Sequence, residues 1–255
     1  MKLGLKLWSI NTDYYLNEAK RLYDMGLYDY IELYAVPNTE NTISLWKNLN
    51  IPYTIHCPHS MHGFNLADAG KKAGNMAMFN ESRKFADLLN ADYIIVHGGT
   101  EGTIEETARQ FTELNEPRAI IENKPYRAIP NELSINYCRG YNASEIKTVM
   151  EKAKCGFCLD FVHAACAANS QKLNIYEYIE DLASLKPVIC HLSNMSDTTS
   201  EYDSHIHLAD GNFDIKKLLS LLPKNQKITL ETKKNFSDSL EDFIEDIKFI
   251  RKYAS

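Results

Sequence analysis

The sequence predicts a single α/β domain spanning residues 1–255 and built as a (β/α)8 barrel, the TIM-barrel architecture. Its length of 255 residues is close to the ~250 residues typical of one such barrel. Short β-branched or aromatic runs alternate with longer stretches of helical period, a pattern typical of parallel strands joined by crossover helices. Because eight such units follow one another, the pattern favours a closed barrel over an open sheet.

Each strand-like run is short, apolar and followed by polar or turn-forming residues. In chain order they are Leu3 to Ser9, Tyr28 to Leu33, Tyr53 to His56, Tyr93 to His97, Ala119 to Glu122, Phe157 to Asp160, Val188 to Leu192 and Lys227 to Glu231. The intervening stretches carry apolar residues three and four positions apart, as at Ala19 and Leu22, and this spacing predicts helices. Thr42, Thr103 and either Asn142 or Ser144 stand where helix N-caps are expected.

The composition is that of a globular protein, with 44% apolar and 24% charged residues. A net charge of −6 provides no general attraction for nucleic acids, so DNA is a weakly supported partner. No apolar run approaches the ~20 residues needed to cross a bilayer, and we expect a cytoplasmic protein with no membrane partner. The six cysteines are expected to be reduced thiols, and packing is the favoured role of the Cys155–Cys158 pair. The sequence does not define an oligomeric state.

Histidines and carboxylates concentrate at one end of the predicted barrel. All eight histidines fall at a strand end or in the following loop, and none falls on a predicted helix body: His56, His59, His62, His97, His163, His191, His205 and His207. Glu122, Asp160 and Glu231 each close an apolar strand, where an unpaired charge would cost several kcal/mol. A lone histidine at a strand end is usually structural, but this concentration predicts bound metal ions. Imidazole mixed with carboxylate suits zinc.

Several short segments resemble the superfamily of endonuclease IV and the xylose isomerase-like barrels, with the best site match to endonuclease IV. They are Ile55-His56, Val96-His97, Ile121-Glu122-Asn123, Cys158 to Ala164, His191-Leu192, Asp203-Ser204-His205 and Leu230-Glu231-Thr232. The resemblance implies two to three zinc ions held by nine ligands. These are His56, His97, Glu122, Asp160, His163, His191, Asp203, His205 and Glu231.

Other features resemble the sugar isomerases and epimerases of the same superfamily. The loop from Tyr34 to Asn41 has no arginine, and His59 and Ser60 stand where endonuclease IV has residues that enter DNA. Glu32 closes the second strand, as in the isomerases. That group binds one ion, here Mn²⁺ or Mg²⁺, through equivalents of four residues: Glu122, Asp160, His191 and Glu231.

Two reactions therefore remain open at this point. In a zinc phosphoesterase, acting on abasic-site DNA or a smaller phosphosugar, Glu122 or Glu231 would hold the attacking water, and Lys124 and Lys233 would contact phosphate. In a sugar or sugar-phosphate isomerase or epimerase, the same two glutamates would act as base and acid. A third interpretation is a metal- or sugar-binding barrel without catalysis. The further residues expected to contact substrate are Glu32, His59 and His207.

Overall fold

The chain folds into a closed barrel of parallel strands, as predicted. The computed structural model describes residues 1–128 and 137–253, and within them eight strands pair in chain order, with β8 returning to β1. The strands are β1 (Lys2–Trp8), β2 (Tyr30–Tyr34), β3 (Tyr53–His56), β4 (Ile94–His97), β5 (Ala119–Glu122), β6 (Gly156–Asp160), β7 (Ile189–Leu192) and β8 (Lys227–Leu230).

The observed strands agree with the predicted runs to within two residues. The largest difference is at β2, which begins at Tyr30 rather than Tyr28. Asp29 explains the later start, because its side chain accepts a hydrogen bond from Leu3 N at 2.7 Å and its own N–H donates to Leu3 O at 2.7 Å. Asp29 is therefore bonded to β1 partly through its side chain, and regular strand pairing of β2 begins at the next residue, Tyr30.

Helices between the strands surround the barrel. In the described part of the chain they are α1 (Tyr14–Asp24), α2 (Ile43–Lys47), α3 (Lys72–Leu89), α4 (Ile104–Glu113), α5 (Ala143–Ala153), α6 (Phe161–Ser170), α7 (Ile175–Ala183), α8 (Ile215–Ser220) and α9 (Glu241–Arg251). None of these described helices is both long and apolar enough to cross a membrane.

Two of the predicted helix caps are confirmed. The side chain of Thr103 accepts from Glu106 N at 3.2 Å, and that of Asn142 accepts from Glu145 N at 2.8 Å. Thr42 occupies the N-cap position of α2 as predicted, but its hydroxyl donates to Thr39 O at 2.8 Å and makes no side-chain cap.

Side chains alternate between two environments along each strand. Leu5 and Leu7 of β1 pack in the large core between barrel and helices, whereas Gly4 faces the barrel interior. A Cβ at Gly4 would overlap the ring of Tyr30, which fills the lower interior with four other residues: Ile95, Ile120, Cys158 and Ile189. Lys227 Nζ lies 4.3 Å from the centre of the Tyr30 ring, so the N-terminal end of the barrel is filled.

The long loop after β3 is anchored on the loop after β4. Asn65 accepts from Ala67 N and Thr100 N, each at 3.0 Å, and a Cβ at Gly99 or Gly102 would overlap this segment. Both glycines have positive φ, +107° and +51°, which a side chain would also disfavour. This packing fixes the backbone that follows His56 at the open end of the barrel.

Candidate metal centre

The nine predicted metal ligands converge at the C-terminal mouth of the barrel. Four of them close strands β3 to β6, His191 is the penultimate residue of β7, and Glu231 directly follows β8. His163 lies in the first turn of α6, and Asp203 and His205 lie in the loop between β7 and α8. Eight of the nine belong to three overlapping groups of possible ligands, and Asp203 contacts two histidines of one group.

The central group consists of Glu122, Asp160, His191 and Glu231, whose ligand atoms all lie within 4.8 Å of one another. Each contributes one buried atom without a hydrogen-bond partner in the structure: Glu122 Oε1, Asp160 Oδ2, His191 Nδ1 and Glu231 Oε2. Buried polar atoms are normally satisfied, and leaving one unsatisfied costs about 1–3 kcal/mol. Four such atoms directed at one point are what a divalent cation would satisfy.

The wall group consists of His56, His97 and Glu122. Nε2 of His56 and Nε2 of His97 each lie 3.0 Å from Glu122 Oε2. The other oxygen of Glu122, Oε1, lies 3.4 Å from His191 Nδ1 in the central group. One carboxylate therefore presents one oxygen to each of two groups, the arrangement of a bridging ligand.

The outer group consists of Asp160, His163 and His205, together with Asp203, which contacts both histidines. Asp203 Oδ2 lies 3.1 Å from His163 Nε2 and 3.4 Å from His205 Nε2. His205 has a positive φ of 42°, a backbone conformation that costs energy in a non-glycine residue. Strain at this position fits a side chain held for a function rather than for packing.

Asp160 serves both as a helix cap and as a candidate ligand. Its Oδ1 accepts from His163 N at 2.7 Å and caps α6, while Oδ2 remains directed at the central group. The expectation that no histidine lies on a helix is wrong for His163, which is the third residue of α6. The helix begins immediately after the strand, so the Asp-x-x-His spacing places both side chains on the site.

Hydrogen bonds behind the ligands fix their orientation. His191 Nε2 lies 3.0 Å from Glu32 Oε2, a carboxylate–histidine pair of the kind found at metal sites. His163 Nδ1 lies 2.9 Å from Asn123 O, and His205 Nδ1 lies 2.9 Å from the hydroxyl of Ser193.

The pKa values of the carboxylates agree with this packing. Burial would raise the pKa of Glu122, but His97 and His191 hold it well below its usual value. Burial opposes ionisation of Glu32 in the same way, yet His191 and Lys6 lower its pKa to about 2. Both residues are therefore charged, which suits a metal-binding role for Glu122.

A cavity of about 490 Å³ opens above the three groups. One side is formed by Trp8, Tyr34, His59 and Met61, and the ring centres of Trp8 and Tyr34 are 5.1 Å apart. The opposite side includes Lys124, whose Nζ lies 3.3 Å from His163 Nε2. Burial and the nearby Lys124 lower the pKa of His59 to about 3, so His59 presents a neutral imidazole to the cavity.

The five residues predicted to contact substrate fall in different places. His59 and Lys124 line the main cavity, and Lys233 lies in an adjoining space of about 420 Å³ between the β1 and β8 loops. Glu32 does not line either cavity, because it is fully buried beneath the site against His191 and Lys6. We therefore reassign Glu32 from substrate contact to support of His191.

His207 also lies away from both cavities. Its Nδ1 lies 2.8 Å from Asp246 Oδ2 and its Nε2 lies 2.9 Å from the amide nitrogen of Asn235. Asp246 additionally accepts from Leu208 N at 2.8 Å. His207 thus fastens the loop carrying Asp203 to α9, and the expectation that it contacts substrate is not supported by its position.

Sequence reasoning missed Lys6, which lines both cavities and is only 7% exposed. The signal was present, since Lys6 has the same inward phase on β1 as Gly4.

All six cysteines are free, and Cys155 is partly buried. Cys158 faces inward and packs in the lower interior, as predicted for packing, and its Sγ also lies within 4.8 Å of ligand atoms of Glu122 and His191.

A family model described as a xylose isomerase-like TIM barrel matches residues 19–253. A curated relative, a probable endonuclease 4 of Halothermothrix orenii, is 26% identical over 216 residues, with 76% of each chain covered.

Solved structures share the fold at low sequence identity. A D-tagatose 3-epimerase-like protein superimposes with a TM-score of 0.72 at 16% identity, covering 99% of this chain and 97% of its own. An IOLI protein with a bound zinc atom gives a TM-score of 0.70 at 16% identity, covering 99% of this chain and 96% of its own. At such identities the similarity concerns the fold alone.

Proposed function

Because the chain belongs to the xylose isomerase-like TIM barrel family, we propose that it is a zinc-dependent phosphoesterase that cleaves a small phosphosugar-type ester. The proposal depends on one observation: the two carboxylate oxygens of Glu122 face two different groups of candidate ligands. One oxygen faces two wall-group histidines at 3.0 Å and the other faces His191 at 3.4 Å. A site for a single ion needs no such bridge and no wall group.

The donor set supports zinc as the metal. Four histidines approach carboxylate oxygens in the wall and outer groups, and imidazole with carboxylate is a ligand mixture suited to zinc. The similarity to a probable endonuclease 4 and to the zinc-containing IOLI structure agrees with this choice. We expect two to three ions per chain.

Bound zinc would supply an activated water of lowered pKa and would stabilise charge on the phosphoryl oxygens. Lys124 projects into the cavity beside His163, where its ammonium can donate to a phosphate oxygen. Glu231 reaches the cavity wall with 23% of its side chain exposed, whereas Glu122 is 1% exposed. Glu231 is therefore better placed than Glu122 to accept a proton from the attacking water.

The cavity favours a small ester over duplex DNA. Its volume of about 490 Å³ falls in the range of small-molecule pockets, and no arginine is among the lining residues that the structure describes. The whole chain carries a net charge of −6, which disfavours a polyanion. Abasic-site DNA therefore belongs in the test as the less favoured substrate.

A metal-dependent sugar isomerase or epimerase is the second candidate. The specific observation in its favour is that the four unsatisfied atoms of the central group would by themselves complete a site for one ion. Glu122 and Glu231 flank His191 there, at 3.4 Å and 2.7 Å from Nδ1, and could act as an acid–base pair.

Substitutions that separate the groups distinguish the two candidates. His97→Gln alters the wall group and leaves the central group complete. The phosphoesterase proposal predicts that this variant loses one zinc and at least about 100-fold in kcat/KM on a phosphosugar ester, because one ion contributes several kcal/mol to phosphoryl transfer.

Wild type and variant should be assayed with phosphosugar esters, abasic-site DNA, ketoses and ketose phosphates after elemental analysis. Lys147→Gln on exposed α5 is the control. Isomerisation of a ketose by a one-metal protein, unaffected by His97→Gln, would reject the phosphoesterase and support the second candidate.

A further inference from the structure

Lys6 places a buried ammonium group between two carboxylates beneath the cavity. Its Nζ lies 2.5 Å from Glu32 Oε1 and 3.3 Å from Glu231 Oε1, and the side chain is 7% exposed. Lys6 pairs directly with Glu32 in the register of β1 and β2, so the contact follows from strand alignment. Burial lowers the pKa of Lys6, but Glu231 and Glu32 raise it above its usual value, and the group is charged.

Both contacts lead to the central group of candidate ligands. Glu231 presents its other oxygen, Oε2, to that group. Glu32 presents its other oxygen to His191 Nε2 at 3.0 Å, and His191 Nδ1 faces the group. One ammonium is therefore connected to two of the four ligands, to one directly and to the other through Glu32.

We propose that Lys6 is a positioning residue of the central group, holding Glu231 directly and His191 through Glu32 in the orientation that binds a divalent ion. This inference rests on the metal centre of the proposed function. It assigns to Lys6 a role in metal affinity rather than in contact with the reacting atoms.

A purely structural role explains Lys6 poorly. Buried ion pairs are often matched or exceeded in stability by apolar residues of similar size, because both charges must lose their hydration. The position of β1 is already fixed by its backbone pairing with β2 and β8. Apolar residues in place of both Lys6 and Glu32 would fill this space without the cost of burying charge.

The test uses zinc alone as the ligand and needs no substrate. Lys6→Met and the control Lys2→Met, at the exposed start of the same strand, are titrated with zinc against a competing chelator, with bound metal measured by elemental analysis. We expect Lys6→Met to bind the central-group ion about 10- to 100-fold more weakly, as is typical when support of a ligand is lost. Lys2→Met should match wild type.

Melting of the zinc-free proteins separates positioning from folding. A Lys6→Met protein that melts earlier without zinc yet binds zinc as tightly as wild type would overturn the inference. Lys6→Arg, which keeps the charge, should recover part of the lost affinity, and an Arg variant no better than the Met variant would count equally against it.

If Lys6→Met does not fold, Lys6→Met/Glu32→Gln removes the carboxylate left unpaired. Its zinc affinity should lie below that of Glu32→Gln alone, because Glu231 is still unsupported, and equal affinities would overturn the direct hold on Glu231. Wild-type protein that binds no zinc rejects the proposed function itself. Wild type that binds zinc, with Lys6→Met unchanged, rejects only the role of Lys6.

Discussion

Removal of metal should destabilise this protein, because the folded chain collects buried polar atoms that a cation would satisfy. Four such atoms meet in the central group. Each unsatisfied buried atom costs about 1–3 kcal/mol, so the zinc-free fold carries an unfavourable term of several kcal/mol. Chelation followed by return of zinc is the direct perturbation.

The size of the effect follows from linkage between binding and folding. At a free zinc concentration of about 100 times Kd, one ion stabilises the folded state by about 2.7 kcal/mol. For a domain of this size, 1 kcal/mol shifts Tm by about 2–4 °C. One bound ion should therefore raise Tm by about 5–11 °C, and a second independent ion should add a similar amount.

Differential scanning calorimetry over a zinc titration measures this shift. Glu231→Gln removes the negative charge of one carboxylate in the central group and should reduce the rise in Tm caused by zinc. Glu151→Gln, on the exposed face of α5, should leave that rise unchanged. Melting temperatures that agree within about 1 °C with and without zinc would refute the reasoning, because the unsatisfied atoms would then not be metal ligands.

Three further substitutions test separate parts of the structure. Lys124→Met should reduce kcat/KM on a phosphoester about 10-fold or more with unchanged zinc content, because it removes a charged donor to phosphate; steady-state kinetics and elemental analysis check this. Asn142→Ala should lower the free energy of unfolding in urea by about 1 kcal/mol, since the amide caps α5. Gly102→Ala should destabilise by several kcal/mol, because its Cβ would overlap Ala67 and its φ is +51°; urea unfolding again measures it.

Two of these substitutions, at Lys124 and Gly102, have a matched control. Lys147→Met lies on the exposed face of α5 and should leave kinetics unchanged. Gly26→Ala also has a positive φ, +68°, but its Cβ would meet open space, so it should cost only about 1 kcal/mol. Equal costs at Gly26 and Gly102 would show that backbone conformation, rather than contact with the β3 loop, determines the effect.

The barrel could be predicted because eight apolar runs alternate with stretches of helical period. Strands β3 to β6 carry a second signal, since each ends on a histidine or carboxylate that marks the open face. His97 and Glu122 illustrate this, since the ladder pairs them directly at the mouth. Convergence of ligands from separate strands then followed from the rule that parallel strands in a barrel end on one face.

The sequence did not predict the roles of Glu32 and Lys6, because these roles depend on which inward-facing side chains meet across the barrel. Glu32 was expected to end β2 and to lie in the pocket. It is instead the middle residue of β2, and its partners from β1 and β7 place it below the pocket. Lys6 interrupts an apolar strand and had no motif to mark it. His163 was expected in a loop after β6, but no loop separates the two elements. Strand β6 ends at Asp160 and α6 begins at the next residue.

The tyrosine that packs against Gly4 closes the N-terminal end of the barrel. With Tyr30 and Lys227 filling that end in the described part of the chain, the central group lies on the floor of a space that opens at the C-terminal mouth. A ligand seated between Trp8 and Lys124 would lie above this floor, on the route of an ion to it. We therefore expect exchange of the metal to slow while substrate occupies the cavity.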